Sequence, residues 1–267
     1  MNNYQTIEVT AGKPVATVRL NRPEVRNAFN ALMVREITRA FEELSADKSV
    51  RLILIRGNGK VFCSGADLNW MKEAVSHSEE ENYREALELA ECFQTIYTCP
   101  KPVITIVHGA STGGANGFVA VADIALTTDD AVFSLSEVRS GLVPAVISPY
   151  IIKRIGEFPA RELMLTARRI HGIEAADRGL VNWHYASEEL EEGVNKIVHQ
   201  ILEGGPEALA ITRKLIYDVS NNWSFDEAIG KTASIIASIR VSDEGREGMA
   251  AFLEKRKPRW SENNTLT

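Results

Sequence analysis

The 267-residue chain is short of the features that mark several common chemistries. Its three cysteines, Cys63, Cys92 and Cys99, are odd in number and fall in neither a CxxC pair nor a zinc-ligand spacing. Reduced, packed thiols are therefore expected rather than disulfides or a metal site. The five histidines, His77, His108, His171, His184 and His199, are scattered without an HxxxH or HExxH pair, which removes the usual zinc-hydrolase pattern. Ser64 and Ser111 sit in no GxSxG elbow, so neither reads as an activated nucleophile. No apolar run is long enough to span a bilayer, and Met1–Gln5 lacks the basic and apolar regions of a signal peptide; a cytoplasmic protein with no membrane partner is expected. Basic residues are outnumbered, 30 Lys+Arg against 36 Asp+Glu for a net charge of −6, so no general nucleic-acid partner is expected. The local exception, Lys255-Arg256-Lys257-Pro258-Arg259-Trp260, reads first as the solvated end of a helix.

The hydrophobic pattern alternates in the first half. Strand-like runs at Val15–Leu20, Val50–Arg56 and Val103–Val107 are separated by helical patterns near Ala31–Leu44 and Glu79–Thr98, the rhythm of crossover units on a mixed sheet. Leu32, Met33, Ile37, Phe41 and Leu44 share one stripe, and Tyr83, Leu87, Ala90 and Phe93 another; both stripes are expected to cover a sheet face. Asp123–Thr127 and Ala131–Leu135 read as two more short strands joined by an Asp129-Asp130 turn. Beyond Pro144 helices are expected at Val146–Ile155, Pro159–Ala167, Ile173–Gly179, Glu188–Leu202, Pro206–Val219, Ser224–Ile239 and Asp243–Lys257. Ser224 with Glu227 forms a capping-box signature. Apolar residues such as Ile235, Ile236 and Ile239 suit packing on the sheet or against another subunit, and a homo-oligomer is expected.

Two glycine-rich corners follow apolar runs: Cys63-Ser64-Gly65-Ala66-Asp67, and Gly109 through Gly114. Glycine lets a chain turn sharply and lets a ligand approach, and the first amides of a following helix have no internal partner. Such a pair suits a thioester oxygen becoming an enolate. The second corner is neither a dinucleotide fingerprint nor a P-loop. Glu137 directly follows the run Ala131–Leu135 and precedes Gly141 and Pro144. At a shielded strand end its carboxyl pKa would rise, fitting it to donate a proton; beside free amides it would instead serve as an acidic helix start. Asp67 reads as a loop-fixing acceptor of backbone hydrogen bonds, and His108 as a packing residue at a strand end.

Taken in order, Asn21-Arg22-Pro23-Glu24-Val25-Arg26-Asn27-Ala28, Phe62 through Leu68, His108-Gly109 with Gly113-Gly114, Ala122-Asp123-Ile124, Ser136-Glu137 and Glu247 through Arg256 resemble the enoyl-CoA hydratase/isomerase (crotonase) superfamily. The likeness covers nearly the whole chain. It implies an α/β fold, a spiral of ββα turns over residues 1–200 carrying the acyl-CoA site, and a C-terminal helical trimerisation region over 201–267. A homotrimer, or a hexamer built as a dimer of trimers, is implied with it. The resemblance also implies an oxyanion hole from the Ala66 and Gly114 amides with Glu137 as the catalytic acid. Arg26, Ala28, Ser64, Gly65, Asp67, Leu68, Gly113, Gly117, Gly141, Phe252 and Lys255 would contribute to the acyl-CoA site. Coenzyme A arrives as part of the substrate, so no separate cofactor and no metal are expected.

One departure bears on the reaction. Two-carboxylate hydratases of the superfamily carry a glutamate three residues past the second hole glycine, where this chain has Gly117, so it resembles the single-glutamate members. Leu135 through Tyr150 looks most like bacterial 3-methylglutaconyl-CoA hydratases, and Arg139 is then a candidate partner for a distal substrate carboxylate, with a surface or inter-subunit ion pair as the other use. Reversible hydration of a 2-enoyl-CoA is the leading expectation. Δ3,Δ2-enoyl-CoA isomerisation by the lone glutamate is the nearest rival, and a non-catalytic acyl-CoA or RNA-binding protein is a rival of another class.

Overall fold

The computed structural model describes residues 4–261; the outermost parts of both expected regions, residues 1–3 and 262–267, lie outside the described residues. The strands are β1 (Ile7–Ala11), β2 (Val15–Leu20), β3 (Leu52–Gly57), β4 (Val103–Val107), β5 (Ala110–Thr112), β6 (Ile124–Thr128), β7 (Val132–Ser134), β8 (Ile170–His171) and β9 (Trp183–Tyr185). The helices are α1 (Ala31–Ala46), α2 (Leu68–Ser76), α3 (Glu79–Tyr97), α4 (Asn116–Ala120), α5 (Ser148–Ile155), α6 (Glu157–Thr166), α7 (Gly172–Asp177), α8 (Leu190–Leu202), α9 (Pro206–Asn221), α10 (Phe225–Val241) and α11 (Asp243–Leu253).

A six-stranded sheet runs in the order β1-β2-β3-β4-β6-β9, antiparallel only between β1 and β2. A second sheet holds β5-β7-β8. Single bridges, Cys63 to Ser111 and Phe29 to Ala66, carry the second sheet's ladder onward from β5. Each turn of the chain thus lays one strand in each ladder before a helix returns it, a crotonase-type spiral.

Both faces of the large sheet are covered at β3 and β4, which is why these parallel strands read as continuous apolar runs, whereas β2 alternates. One face packs on α1, α3 and α4 through Met33, Ile37, Phe41, Phe93 and Phe118. The other packs on α8 through Leu54, Ile104, Ile106, Val194 and Val198. The α1 stripe is as expected, except that Leu32 is only half-buried and Glu36 joins the buried face. Its carboxylate accepts the Gln5 and Thr6 backbone N–H groups at 2.8 Å each, pinning the start of β1.

The α3 stripe is corrected. Tyr83 and Leu87 are 61% and 41% exposed, while Cys92, Phe93 and Ile96 carry the packing. Only the C-terminal half of α3 lies over the core. Its first half is capped by Ser78 with Glu81 and begins with three glutamates. The last long helix also ends early, at Leu253 rather than Lys257. Lys255 adopts a left-handed φ of 55°, and Arg256 turns back to Glu247 at 2.7 Å. The capping box at Ser224 and Glu227 forms as its residues foretell.

The C-terminal helices are tied to the spiral by Arg213 on α9, which pairs with Asp123 at 2.7 Å, by Arg51, which donates to the Trp260 carbonyl at 3.1 Å, and by Tyr97 edge-on to Tyr217. Among themselves they are joined by Glu244 on α11, which accepts the Glu207 and Ala208 N–H groups at the start of α9. Ile235 and Ile239 line a hollow shared with Leu215 and Trp223, whereas Phe225, Ile229 and Ile236 are exposed.

Candidate active site

The first corner is set by an ion pair and a buried amide. Arg22 donates to the Ala28 carbonyl at 2.7 Å and pairs with Asp67 at 2.8 Å. Asn27 is fully buried and donates to the carbonyls of Asn58, Val61 and Phe62, while its own oxygen accepts the Arg22 N–H. Asp67 caps α2 by accepting the Asn69 N–H at 2.7 Å. Burial works against its ionised form, but the Asn69 N–H and Arg22 outweigh burial and hold the carboxyl below its ordinary range. Asp67 is thus engaged in fixing the loop. Arg26 lies exposed at the loop's left-handed turn, Ala28 is buried, and Ser64 donates its N–H to the Arg26 carbonyl at 3.0 Å. Leu68 opens α2 and is exposed.

Phe29 then sets the direction of the Ala66 amide. Its N–H donates to Gly65 and its carbonyl accepts from Asp67, both at 2.9 Å. Because peptide groups alternate along a strand, the N–H of the intervening Ala66 points to the opposite side, where Cys63 pairs with β5. Gly65 is required here: its φ is +95°, and a Cβ would meet the Thr112 carbonyl oxygen at 2.7 Å.

β5 runs directly into the second corner. Gly113 and Gly114 begin a one-turn 3₁₀ helix that continues into α4. First-turn amides have no partner within a helix, and among the described residues neither the Ala66 nor the Gly114 N–H meets a backbone acceptor. Asn116 is buried beneath the turn and donates to the carbonyls of Gly113 and Ser134 at 2.9 and 3.0 Å, which fixes the corner against β7. Phe29 abuts Gly114 closely enough that a Cβ there would lie 2.9 Å from the ring.

Glu137 opens a short 3₁₀ turn after β7, closed by Gly141. Its carboxyl lies beside the second corner: a Cβ on Gly113, at φ +56°, would be 3.5 Å from Oε1. Oε2 is buried with no hydrogen-bond partner. Burial pushes the Glu137 carboxyl above its ordinary value of 4.5, against a weaker downward pull from its own backbone N–H. A carboxyl whose protonated form is favoured by burial, set beside the Gly113 turn, can deliver a proton to a carbon whose charge the two corner amides hold.

The surroundings limit other chemistry. Cys63 donates its thiol to the Asn27 carbonyl, and burial pushes that thiol up to about 12, so it is not a nucleophile. His108 bonds the Gly59 carbonyl at 3.0 Å. Gly117 lies under the ring of Phe93: a Cβ there would meet Cζ at 2.3 Å and the Ile147 Cγ2 at 2.8 Å. No side chain fits that position without repacking.

Arg139 lines a pocket with Arg26 and Arg169 that Glu137 does not line. Phe252 is 83% exposed at the end of α11, and Lys255 follows it among the C-terminal helices. Asn116 escaped the reading of the sequence, and Phe93, expected there on a core stripe, was not seen to cover Gly117 together with Ile147. A buried amide beside a glycine corner is the one signal that could have pointed to Asn116, since few other side chains can serve several carbonyls at once.

The model of the family described as Enoyl-CoA hydratase/isomerase matches residues 10–263. A peroxisomal Δ(3,5)-Δ(2,4)-dienoyl-CoA isomerase of Arabidopsis thaliana is 33% identical over 98% of this chain and 99% of its own. An enoyl-CoA hydratase of Alternaria alternata is 33% identical over 99% of this chain and 86% of its own. The crystal structure of an enoyl-CoA hydratase from Shewanella pealeana superposes with a TM-score of 0.92 at 35% identity, covering 96% of both chains.

Proposed function

The chain belongs to the enoyl-CoA hydratase/isomerase family, and from that premise we propose that it catalyses the reversible hydration of a 2-enoyl-CoA thioester. The thioester oxygen is held by the Ala66 and Gly114 amides. As water oxygen bonds to carbon 3, the carbon–carbon π pair moves toward carbon 2 and the enolate oxygen. One Glu137 oxygen gives its proton to carbon 2 while the other takes a proton from the water, so the acid is regenerated. The observation that carries this reading is the buried, unpartnered Oε2 of Glu137 beside the Gly113-Gly114 turn. Glu137→Gln is expected to lower kcat by about 10²–10⁴-fold while acyl-CoA binding persists; full turnover in that variant would sink the assignment.

Isomerisation is the second reading, favoured by Phe93 and Ile147 over Gly117. With the place of a second carboxylate filled by apolar groups, Glu137 alone would move a proton between carbons 4 and 2, with no water consumed. Turnover in H₂¹⁸O separates the two, because only hydration puts label into the product.

The acyl group in this proposal is short and branched or carboxylated, of the 3-methylglutaconyl kind, supported by the character of Leu135 through Tyr150. A panel of enoyl-CoA thioesters read by mass spectrometry tests it. The working assembly in this proposal is a trimer or dimer of trimers that buries Phe225, Ile229 and Phe252, which are exposed in the single chain, and brings Lys255 to a neighbour's coenzyme A. Sedimentation equilibrium showing a monomer would remove that part.

A further inference from the structure

The arginines of this chain are mostly paired. Arg22 meets Asp67, Arg56 meets Glu191, Arg213 meets Asp123, and Arg168 and Arg178 share Glu162 and Glu174. Arg26, Arg139 and Arg169 stand out among the described arginines without an ion pair because they line one pocket. Arg169 is adjacent in sequence to Arg168, which takes two glutamates while Arg169 takes none.

These three line one pocket of about 290 Å³, together with Thr112, Ser134 and Ser136, and no carboxylate lines it. Strand alternation explains its floor. Thr112 on β5 and Ser134 on β7 face it, while Ser111 and Phe133 turn into the interior. Ser134 already donates to the Ala167 carbonyl at 3.2 Å. Thr112 and Ser136 have hydroxyl donors to offer.

Three like charges converging on one hollow, in a chain of net charge −6, repel one another unless an anion lies between them. A single carboxylate would be satisfied by one guanidinium fork, whereas a phosphoryl group brings more charge and more acceptor oxygens. We infer that Arg26, Arg139 and Arg169 form a phosphate-recognition site on the outer face of the small sheet. Thr112 precedes Gly113, and Ser136 and Arg139 flank Glu137, so the site lies on the segments that carry the candidate catalytic groups. The phosphate has two possible sources: the nucleotide end of the substrate, which rests on the proposed acyl-CoA reading, or free phosphate or pyrophosphate acting beside the centre.

The test uses the full chain and needs no turnover. Calorimetric titration with inorganic pyrophosphate should show binding that weakens with added salt. Arg169→Ala should lower that affinity about tenfold or more, since a charge-assisted bond is lost; Arg169→Glu should abolish it, and Arg169→Lys should recover part. Kinetics then assigns the source. A KM raised by Arg169→Glu for an acyl-CoA but not for the matching acyl-pantetheine identifies the substrate's phosphates, and KM values unchanged for both identify a free phosphate ligand. Pyrophosphate that fails to bind the parent chain, or binds Arg169→Glu equally well, overturns the inference. An inactive enzyme that still binds pyrophosphate refutes only the proposed reaction.

Discussion

Gly117→Ala tests most directly the close fit of Phe93 and Ile147 over the place of a second carboxylate. A methyl group at residue 117 would lie 2.3 Å from Cζ and 2.7 Å from Cε2 of Phe93, and 2.8 Å from Cγ2 of Ile147, each far inside ordinary contact. Phe93 has little room to yield: it is fully buried, with Phe118 edge-on at 5.0 Å and Tyr150 at 6.3 Å between centroids. Overpacking of this kind costs about 1–3 kcal/mol. Replacing a helical glycine by alanine returns about 1 kcal/mol in propensity. Three contacts this short put the cost in the upper part of that range, about 2–3 kcal/mol, so the net expectation is a loss of about 1–2 kcal/mol, or about 2–8 °C in Tm for a domain near this size. Urea and thermal unfolding followed by circular dichroism measure it. Adding Phe93→Leu should cost less in the alanine background than in the parent, a coupling that a double-mutant cycle reads out. If Gly117→Ala melts at or above the parent temperature, the ring does not occupy that space and the case for a filled second-carboxylate position fails. Gly117→Glu is expected to be more damaging still and to confer no added hydratase activity.

Glu137→Gln should also change the pH dependence of stability. Below pH 4.5 the carboxyl is protonated in both folded and unfolded chains, so parent and variant should behave alike. As pH rises past that value the unfolded chain ionises first, and the parent loses stability relative to glutamine until pH passes the raised folded value, after which the gap is constant. Equal melting temperatures at pH 4 and pH 8 in both proteins would contradict the burial. Asn27→Ala strips donors from the carbonyls of Asn58, Val61 and Phe62. It should cost about 1–3 kcal/mol, since the Phe62 carbonyl is left buried and unpaired while those of Asn58 and Val61 are part-buried; a loss below about 1 kcal/mol by urea denaturation would show that water replaces the amide.

The strands and amphipathic helices were legible where pattern and burial agree. Val15–Leu20 and Val103–Val107 emerged as strands at the expected residues, the first by alternation of buried Ala16, Val18 and Leu20 and the second as an unbroken apolar run covered on both faces. The two- and three-residue strands β8 and β9 carry too few residues for a period to show, and β1, as long as β4, buries only Ile7 and so leaves no apolar run. The helix Leu68–Ser76 follows a cap whose partner, Arg22, is remote in sequence. Tyr83 and Leu87 share a helical face with Phe93, but periodicity reports a face and not how far along the helix the core extends.

The order of the motifs and the place of Glu137 just past a strand end are properties of the chain itself, because strand endings, glycine corners and acidic residues are local and survive as text; that its carboxyl is buried was decided by the fold. What stands near what is not local. Folding alone brings the carboxyl of Glu137 against Gly113, sets the ring of Phe93 over Gly117, and gathers Arg26, Arg139 and Arg169 from three separate loops into one hollow. Those juxtapositions follow from the pairing of β5 with β7 and with the segment around Cys63, contacts whose partners are tens of residues apart and so leave no periodic trace in the sequence.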